Sequence, residues 1–246
     1  MVQVKGVNSK LVAIKDAVVV PLFEDELKLD SELKALDKKY AAVISTSIKQ
    51  KKFKGSAGQV TPLYLNKIIL VGVGKKKNAC LRMVCNTIAN AIRAIRSLDP
   101  KKVAIYLSTF SMKGVSMNEI AQKVSISIHL GLYQYLQYKT KDKDKVKKID
   151  SVTLIASKKD LVKARKGISE AQILSDAVNQ TRDLVNTPPN VAVPEHCAKH
   201  AQKLSRGTKI KCTVFNEKKI KSMGMECYTP VGQASVNKPR MVVMDY

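Results

Sequence analysis

The sequence predicts an α/β fold with a mostly parallel central sheet. The run KIILVGVG (67–74) is continuously apolar, as is typical of a strand covered on both faces. Such runs alternate along the chain with stretches whose apolar residues recur at helical spacing, which indicates parallel strands joined by helices. With 45% hydrophobic and 26% charged residues, the composition is that of a globular protein that buries a core.

The elements follow in chain order. Segments rich in apolar and β-branched residues predict strands at LVAIKDAVVVPLF (11–23, one or two strands), KIILVGVG (67–74), KVAIYLS (102–108) and SVTLIAS (151–157). Helical spacing predicts a helix that begins at Leu81 and is stopped by Asp99-Pro100, and another over 118–138. The charged run KTKDKDKVKK (139–148) predicts a solvated loop.

A long helix is expected from near Asp160 to the segment TRDLVNTPPN (181–190). Pro188 and Pro189 lack a backbone N–H and push their predecessors into extended geometry, so they end the helix and redirect the chain. The remaining segments predict a helix from Pro194 to Ser205, a strand at 209–216, a short helix at 217–225 and a last strand in PRMVVMDY. These patterns suggest domains at 1–158 and 159–246.

The net charge of +24 comes from 44 basic and 20 acidic residues. Such a surface attracts polyanions, so non-specific or regulatory DNA binding is the alternative function. The chain has no Trp, 5% aromatic residues and lysines spread over most polar faces, which favours a solvating surface instead. No run of 18 apolar residues predicts a membrane span, and the amino terminus does not resemble an export signal.

Five cysteines without a CxxC pair favour reduced thiols in a cytosolic protein. They lie at positions 80, 85, 197, 212 and 227. His196 and His200 are one helical turn apart beside Glu195, a geometry that can hold zinc. However, the order is not HExxH and no third ligand is indicated, so two surface histidines are several times more common an explanation. His129 lies between apolar residues and is expected to be a partly buried structural histidine.

Two further segments have competing interpretations. FEDELKLDSE (23–32) has five carboxylates in ten residues, which can bind a cation or can mark the amino terminus of a helix. GVGKKKNA (72–79) follows a strand and can bind phosphate, although it lacks the spacing of either glycine-rich motif, and a plain tight turn is favoured. Ser235 in GQAS has no GxSxG surroundings, so no catalytic triad is expected.

TRDLVNTPPN (181–190), MGMECYTPVGQAS (223–235) and KPRMVVMDY (238–246) together resemble the leucyl aminopeptidase (cytosol aminopeptidase) family. The resemblance implies a macro-like α/β amino-terminal domain followed by a peptidase domain with two divalent ions, zinc or manganese. It also implies peptide substrates, a hexamer and a cytoplasmic location. The residues that carry it, expected to act structurally, are Arg182, Asp183, Asn186, Pro188, Pro189, Asn190, Gly224, Gly232 and Gln233.

The family's two metal-ligand segments do not occur in residues 1–246. One is a glycine-lysine-glycine-x-x-phenylalanine-aspartate segment, and the other is an asparagine-threonine-aspartate-alanine-glutamate-glycine-arginine segment. We therefore expect an amino-terminal portion that includes only the opening of the peptidase domain. It is expected to hold no catalytic or metal-binding residue, to serve as scaffold and oligomer contact, and to be inactive alone.

Overall fold

The computed structural model describes residues 2–63, 65, 67–142 and 145–246. The chain divides into two compact units, Met1–Asn179 and Gln180–Tyr246. The division falls inside one long helix, whereas the sequence suggested a boundary at 158/159. Ala164, Ile168 and Ala171 at the start of this helix are buried, which explains why it belongs with the first unit as far as residue 179. The domain assignment itself stays a prediction.

The first unit contains a six-stranded sheet in the order β1-β6-β5-β2-β4-β3. Its strands are β1 (Gln3–Val7), β2 (Ala17–Phe23), β3 (Val60–Leu63), β4 (Ile68–Gly74), β5 (Lys102–Tyr106) and β6 (Ser151–Ile155). All pairings are parallel except that of β3 with β4. The predicted α/β class with a mostly parallel sheet is therefore confirmed.

Helices cover both faces of this sheet. They are α1 (Ser31–Lys39), α2 (Val43–Lys49), α3 (Leu81–Ser97), α4 (Met117–Gly131) and α5 (Leu161–Asn186). Alternate residues of β2 point to opposite faces: Val19 packs with apolar side chains of α3, α4 and α5, and Val18 packs with those of α1 and α2. Every residue of β2 and β4 is buried, which is why these strands read as continuous apolar runs.

The first unit differs from the sequence-based prediction in several places. Strands β1 and β3 and helices α1 and α2 were not predicted as separate elements. The segment 11–23 forms a short 3-10 turn at Leu11–Ala13 followed by a single strand. Helix α4 ends at Gly131 instead of continuing to 138, in keeping with the low helix propensity of glycine.

The second unit contains the carboxyl end of α5 and a two-stranded antiparallel sheet. Its other elements are α6 (Pro194–Ser205), β7 (Lys211–Asn216), α7 (Glu217–Ser222), α8 (Thr229–Gln233) and β8 (Arg240–Asp245). The register pairs Lys211 with Asp245 and Asn216 with Arg240. Helix α6 has the predicted bounds, because Pro194 occupies its first turn and Gly207 adopts a positive φ of 72° just beyond its end.

Candidate functional site

The proline corner, residues 186–194, joins α5 to α6. The Thr187 hydroxyl donates to the Asp183 carbonyl at 2.6 Å and so satisfies a carbonyl in the last turn of α5. The Pro188 carbonyl then accepts from the amides of Val191 (2.9 Å) and Ala192 (2.8 Å), which closes a tight turn. Two prolines without N–H groups thus end one helix, and backbone hydrogen bonds fix the direction in which the chain enters the next.

The predicted signature residues of this corner lie mainly at the surface. Arg182 and Pro188 are half-buried. Asp183, Asn186, Pro189 and Asn190 are exposed. The conformation of the corner therefore depends on backbone geometry more than on burial of these side chains.

The other three signature residues lie near α8. Gly224 adopts a positive φ of 71°, in the turn that follows α7, where a side chain would be strained. Gly232 approaches the buried ring of Pro239: a Cβ atom there would lie 3.1 Å from Pro239 Cγ and Cδ. Gln233 is the exposed last residue of α8. The two glycines are thus explained by backbone geometry and by close packing.

Arg240 connects three segments of the second unit. Its Nε donates to Glu195 Oε2 on α6 at 2.8 Å, and its carbonyl accepts from the Tyr228 hydroxyl at 2.6 Å. Its Nη1 also donates to the Pro239 carbonyl at 3.0 Å. Because the Arg240 side chain is 25% exposed, its ion pair is partly shielded from water.

The pairing of Glu195 with Arg240 was missed by sequence reasoning. From the sequence, Glu195 was considered beside His196 and His200 in a candidate zinc geometry, and Arg240 only as part of a strand. The two residues are 45 positions apart, and no periodicity links them. A charged first residue in a strand with an apolar centre is the only local signal.

Within the part of the chain that the structure describes, His196 and His200 on α6 are not joined by a third side chain in a metal-binding arrangement. The neighbouring Glu195 carboxylate binds Arg240 and lies 3.7 Å from Lys199 Nζ, so it is engaged by two cations. Both histidines are half-buried. This arrangement is that of a helix surface with an ion pair, in keeping with the more common explanation.

The anion-binding geometry after β4 is satisfied by a carboxylate of the chain itself. Asp25 Oδ1 accepts from the Lys76 amide at 2.6 Å, and Oδ2 accepts from the Lys77 amide at 3.5 Å. The hydrogen bond from the Lys76 amide lowers the pKa of Asp25. The segment 72–79 is therefore a turn whose amides, which a phosphate would need, already bind an aspartate.

Two further acids of 23–32, Glu26 and Asp30, also have structural partners. Glu26 forms an ion pair with the Lys76 ammonium. Asp30 caps α1 by accepting from the Leu33 amide at 2.8 Å, and it accepts from the Tyr106 hydroxyl at 2.8 Å. Burial raises the pKa of Tyr106 to about 12. Of the two interpretations of this acidic segment, the helix amino terminus is the one that the structure shows.

Among the described residues, no group of three or more His, Cys, Asp or Glu side chains is arranged to hold a metal ion. A two-metal site needs several carboxylate oxygens converging on ions about 3.5–4 Å apart. Asp25, Glu26 and Asp30 instead bind amides, an ammonium and a hydroxyl, and Glu195 binds two cations. The donor set of the described chain therefore does not fit a pair of divalent ions, and no reaction step is assigned to it.

His129 on α4 is more deeply buried than predicted, at 2% exposure. Within the described part of the chain, neither ring nitrogen has a hydrogen-bond partner. Burial lowers the pKa of His129, and the charge of Asp176 opposes this shift. His129 is thus a neutral histidine of the first unit's interior.

The cysteines and Ser235 show no catalytic arrangement among the residues that the structure describes. All five cysteines are free; three of them are exposed and two are half-buried. The Ser235 hydroxyl accepts from the Asn237 amide at 3.1 Å within a local turn. A search of the described helices found none long and apolar enough to cross a membrane.

Two family models match the chain. The amino-terminal domain model of the cytosol aminopeptidase family matches residues 19–142, and the catalytic domain model of the same family matches residues 179–246. Among curated relatives, the cytosol aminopeptidase of Pseudomonas aeruginosa is 29% identical over 95% of this chain and 48% of its own length. The probable cytosol aminopeptidase of a Sulfurihydrogenibium species is 31% identical over 94% of this chain and 46% of its own length.

Solved structures share the fold. A tomato leucine aminopeptidase mutant aligns with a TM-score of 0.83 at 19% identity, over 99% of this chain and 50% of that one. The bottromycin maturation enzyme BotP in complex with Mn aligns with a TM-score of 0.74 at 22% identity, over 95% and 45%. The chain spans about half the length of the curated relatives it matches. With both domain models matched in order, this chain belongs to the cytosol aminopeptidase family.

Proposed function

We propose that the protein acts as a metallo-aminopeptidase of the leucyl aminopeptidase type, which releases amino-terminal residues from peptides in the cytoplasm with two divalent ions, zinc or manganese. The observation that carries this proposal is the ordered match of the family's amino-terminal and catalytic models along one chain. The names of the curated relatives, which place them in the cytosol, support the location. In this family the ions polarise the peptide carbonyl and activate water.

The role proposed for these 246 residues is that of a scaffold and subunit contact, inactive alone. The signature residues support a structural role, because the proline corner fixes the entry to α6 and the close approach of Gly232 to Pro239 fixes the approach to β8. Exposed apolar side chains on α5, with Ile173 at 70% and Val185 at 79% exposure, support a homo-oligomer, and a hexamer is the proposed form. The first unit is proposed to be macro-like.

A hydrolysis assay tests inactivity. The purified 246-residue chain is incubated with a leucyl amide substrate and added manganese or zinc, and no turnover above the buffer rate is expected. A chelator-treated sample controls for contaminating metallopeptidases. Turnover that persists through repurification and follows the protein peak would show that the chain is active alone.

A second assay tests the aminopeptidase proposal independently of the first. A protein expressed from the gene with any coding sequence that follows the Tyr246 codon is expected to hydrolyse the same substrate and to lose activity on chelation. Absence of hydrolysis with either ion would contradict the aminopeptidase proposal. The scaffold role of the signature residues would then be tested only by measuring how their substitution changes the free energy of unfolding.

Non-specific or regulatory DNA binding remains a second candidate, because the net charge of +24 favours it. The test is duplex affinity measured at increasing salt. Tight binding with sequence preference would support DNA binding as a function. Weak, sequence-independent binding that disappears at physiological salt would identify the charge as a solvating surface.

A further inference from the structure

A cleft of about 330 Å³ lies between the last turns of α3 and the segment that follows α4. It is called the basic pocket here, and it is formed within the first unit. The charged side chains that line it are Arg93, Arg96, Lys139, Asp142, Lys145 and Lys147. Five cations thus face one described carboxylate, an imbalance that favours an anionic ligand.

Three of these cations make hydrogen bonds or an ion pair within the chain that explain their position. The Lys147 ammonium donates to the Ser97 carbonyl at 2.6 Å, at the carboxyl end of α3, where a positive charge is favourable. Arg93 donates to the Ala89 carbonyl at 3.0 Å and to Asn90 Oδ1 at 2.9 Å. Lys145 is 2.8 Å from Asp142. Capping of α3 and a local ion pair therefore account for three of the five cations.

Arg96 and Lys139 are not explained in this way. Arg96 Nη1 is buried without a hydrogen-bond partner in the described structure, which is costly for a guanidinium group. Within the described residues, neither Arg96 nor Lys139 has a carboxylate within ion-pair distance. An anion in the basic pocket would lie beside Arg96 and Lys139, neither of which has a carboxylate partner among the described residues.

The lining of the basic pocket determines the class of ligand. Among its described lining residues only Val146 is apolar, so an apolar ligand finds little surface. The volume is at the small end of the roughly 300–1,000 Å³ range of ligand sites, which favours a small molecule. Clustered cations that include arginine forks suit phosphate oxygens, and several cations suit more than one phosphate group.

We propose that the basic pocket is a binding site for a small polyphosphate anion, with Arg96 and Lys139 as its principal binding cations. Free polyphosphate and the phosphate chain of a nucleotide share this chemistry.

Calorimetric titration of the full 246-residue chain with sodium tripolyphosphate at low salt tests the proposal. Saturable binding with one site per chain is expected. The variant Arg96→Gln/Lys139→Gln is expected to bind about tenfold or more weakly. The matched control Lys34→Gln/Lys38→Gln removes two exposed charges from α1 and is expected to stay within about twofold of the unmodified chain.

Absence of saturable binding, or an equal loss in both double variants, would overturn the proposal, because the anion would then sense only net charge. If the melting temperature of Arg96→Gln/Lys139→Gln differs from that of the unmodified chain, the affinity of the single variant Lys139→Gln is the test of the proposal. Its side chain is exposed, and a loss of about threefold is expected. A parallel titration with a nucleoside triphosphate separates the two sources: equal affinity indicates recognition of phosphates alone, and tighter binding indicates that the nucleoside also contacts the pocket.

Discussion

In residues 1–179, apolar side chains from helices on both faces cover a six-stranded sheet, whereas residues 180–246 contain a two-stranded sheet with little covered surface. Among the described residues of the second unit, three apolar side chains are buried, those of Ala198, Ile220 and Pro239. Val231 and Val236 are 87% and 93% exposed. The first unit therefore buries far more apolar surface than the second, and apolar burial is expected to stabilise it more.

Two isoleucines, each at most 1% exposed, test this comparison most strongly. Ile88 on α3 lies in the main core, so Ile88→Ala is expected to lower the free energy of unfolding by about 3–4 kcal/mol. Ile220 on α7 has the same exposure in a unit with few buried neighbours, so Ile220→Ala is expected to cost about 2 kcal/mol, at the low end of the range. Denaturant unfolding measures both, and equal costs would show that the two cores are equally well packed.

Hydrogen exchange locates the boundary between stable and unstable regions. The amides of 180–246 are expected to exchange about 100-fold faster than those of β2, β4 and β5, because few apolar contacts oppose local opening. The sequence placed the boundary near residue 160. The buried positions Ala164, Ile168 and Ala171 instead predict that the start of α5 is protected with the first unit. Equal protection throughout would contradict the idea of an incompletely packed second unit.

The ion pair of Glu195 with Arg240 is expected to stabilise the second unit by about 0.5–1 kcal/mol, since Glu195 is 46% exposed and solvent weakens the attraction. A double-mutant cycle with Glu195→Gln and Arg240→Gln isolates the pair from the effect of Glu195 on the helix dipole. Lys199→Gln serves as the matched control, because Lys199 is 3.7 Å from the same carboxylate and 72% exposed. An interaction energy of zero would remove the pair as a stabilising contact.

The smallest expected effect is a pH dependence confined to the first unit. Burial lowers the pKa of His129 below its ordinary value of 6.5, so the unfolded chain binds a proton more readily than the folded one. The contribution of neutral His129 is complete above about pH 6.5 and is lost as the pH falls through the folded pKa. His129→Leu is expected to flatten this acid slope in urea unfolding at about pH 7.5 and about pH 5.5. His200→Gln on α6 is the control, and an unchanged slope in His129→Leu would contradict the assignment.

Elements whose sequence signal spans only a few residues could be predicted, whereas contacts between distant parts of the chain could not. The end of α5, the bounds of α6 and strands β4, β5 and β6 were predictable because prolines, glycines and apolar runs act over a few residues. Strand β1 was not, since it is only five residues long and its partner β6 lies far along the chain, with Gln3 opposite Ser151. The pairing of Glu195 with Arg240 and the occupancy of the Lys76 amide by Asp25 are likewise long-range contacts without a periodic signal.

The Asp25 carboxylate determines whether the turn after β4 can bind an anion. In many α/β proteins, backbone amides after a strand are free to bind an anionic ligand. In this chain the Lys76 amide already binds a carboxylate from a neighbouring loop, that of Asp25. A phosphate ion would have to displace the Asp25 carboxylate from these amides, and because Asp25 is part of the chain its local concentration stays high. Because the hydrogen bond from the Lys76 amide lowers the pKa of Asp25, this carboxylate keeps its charge, and its hold on the amides, at a lower pH than an ordinary aspartate would.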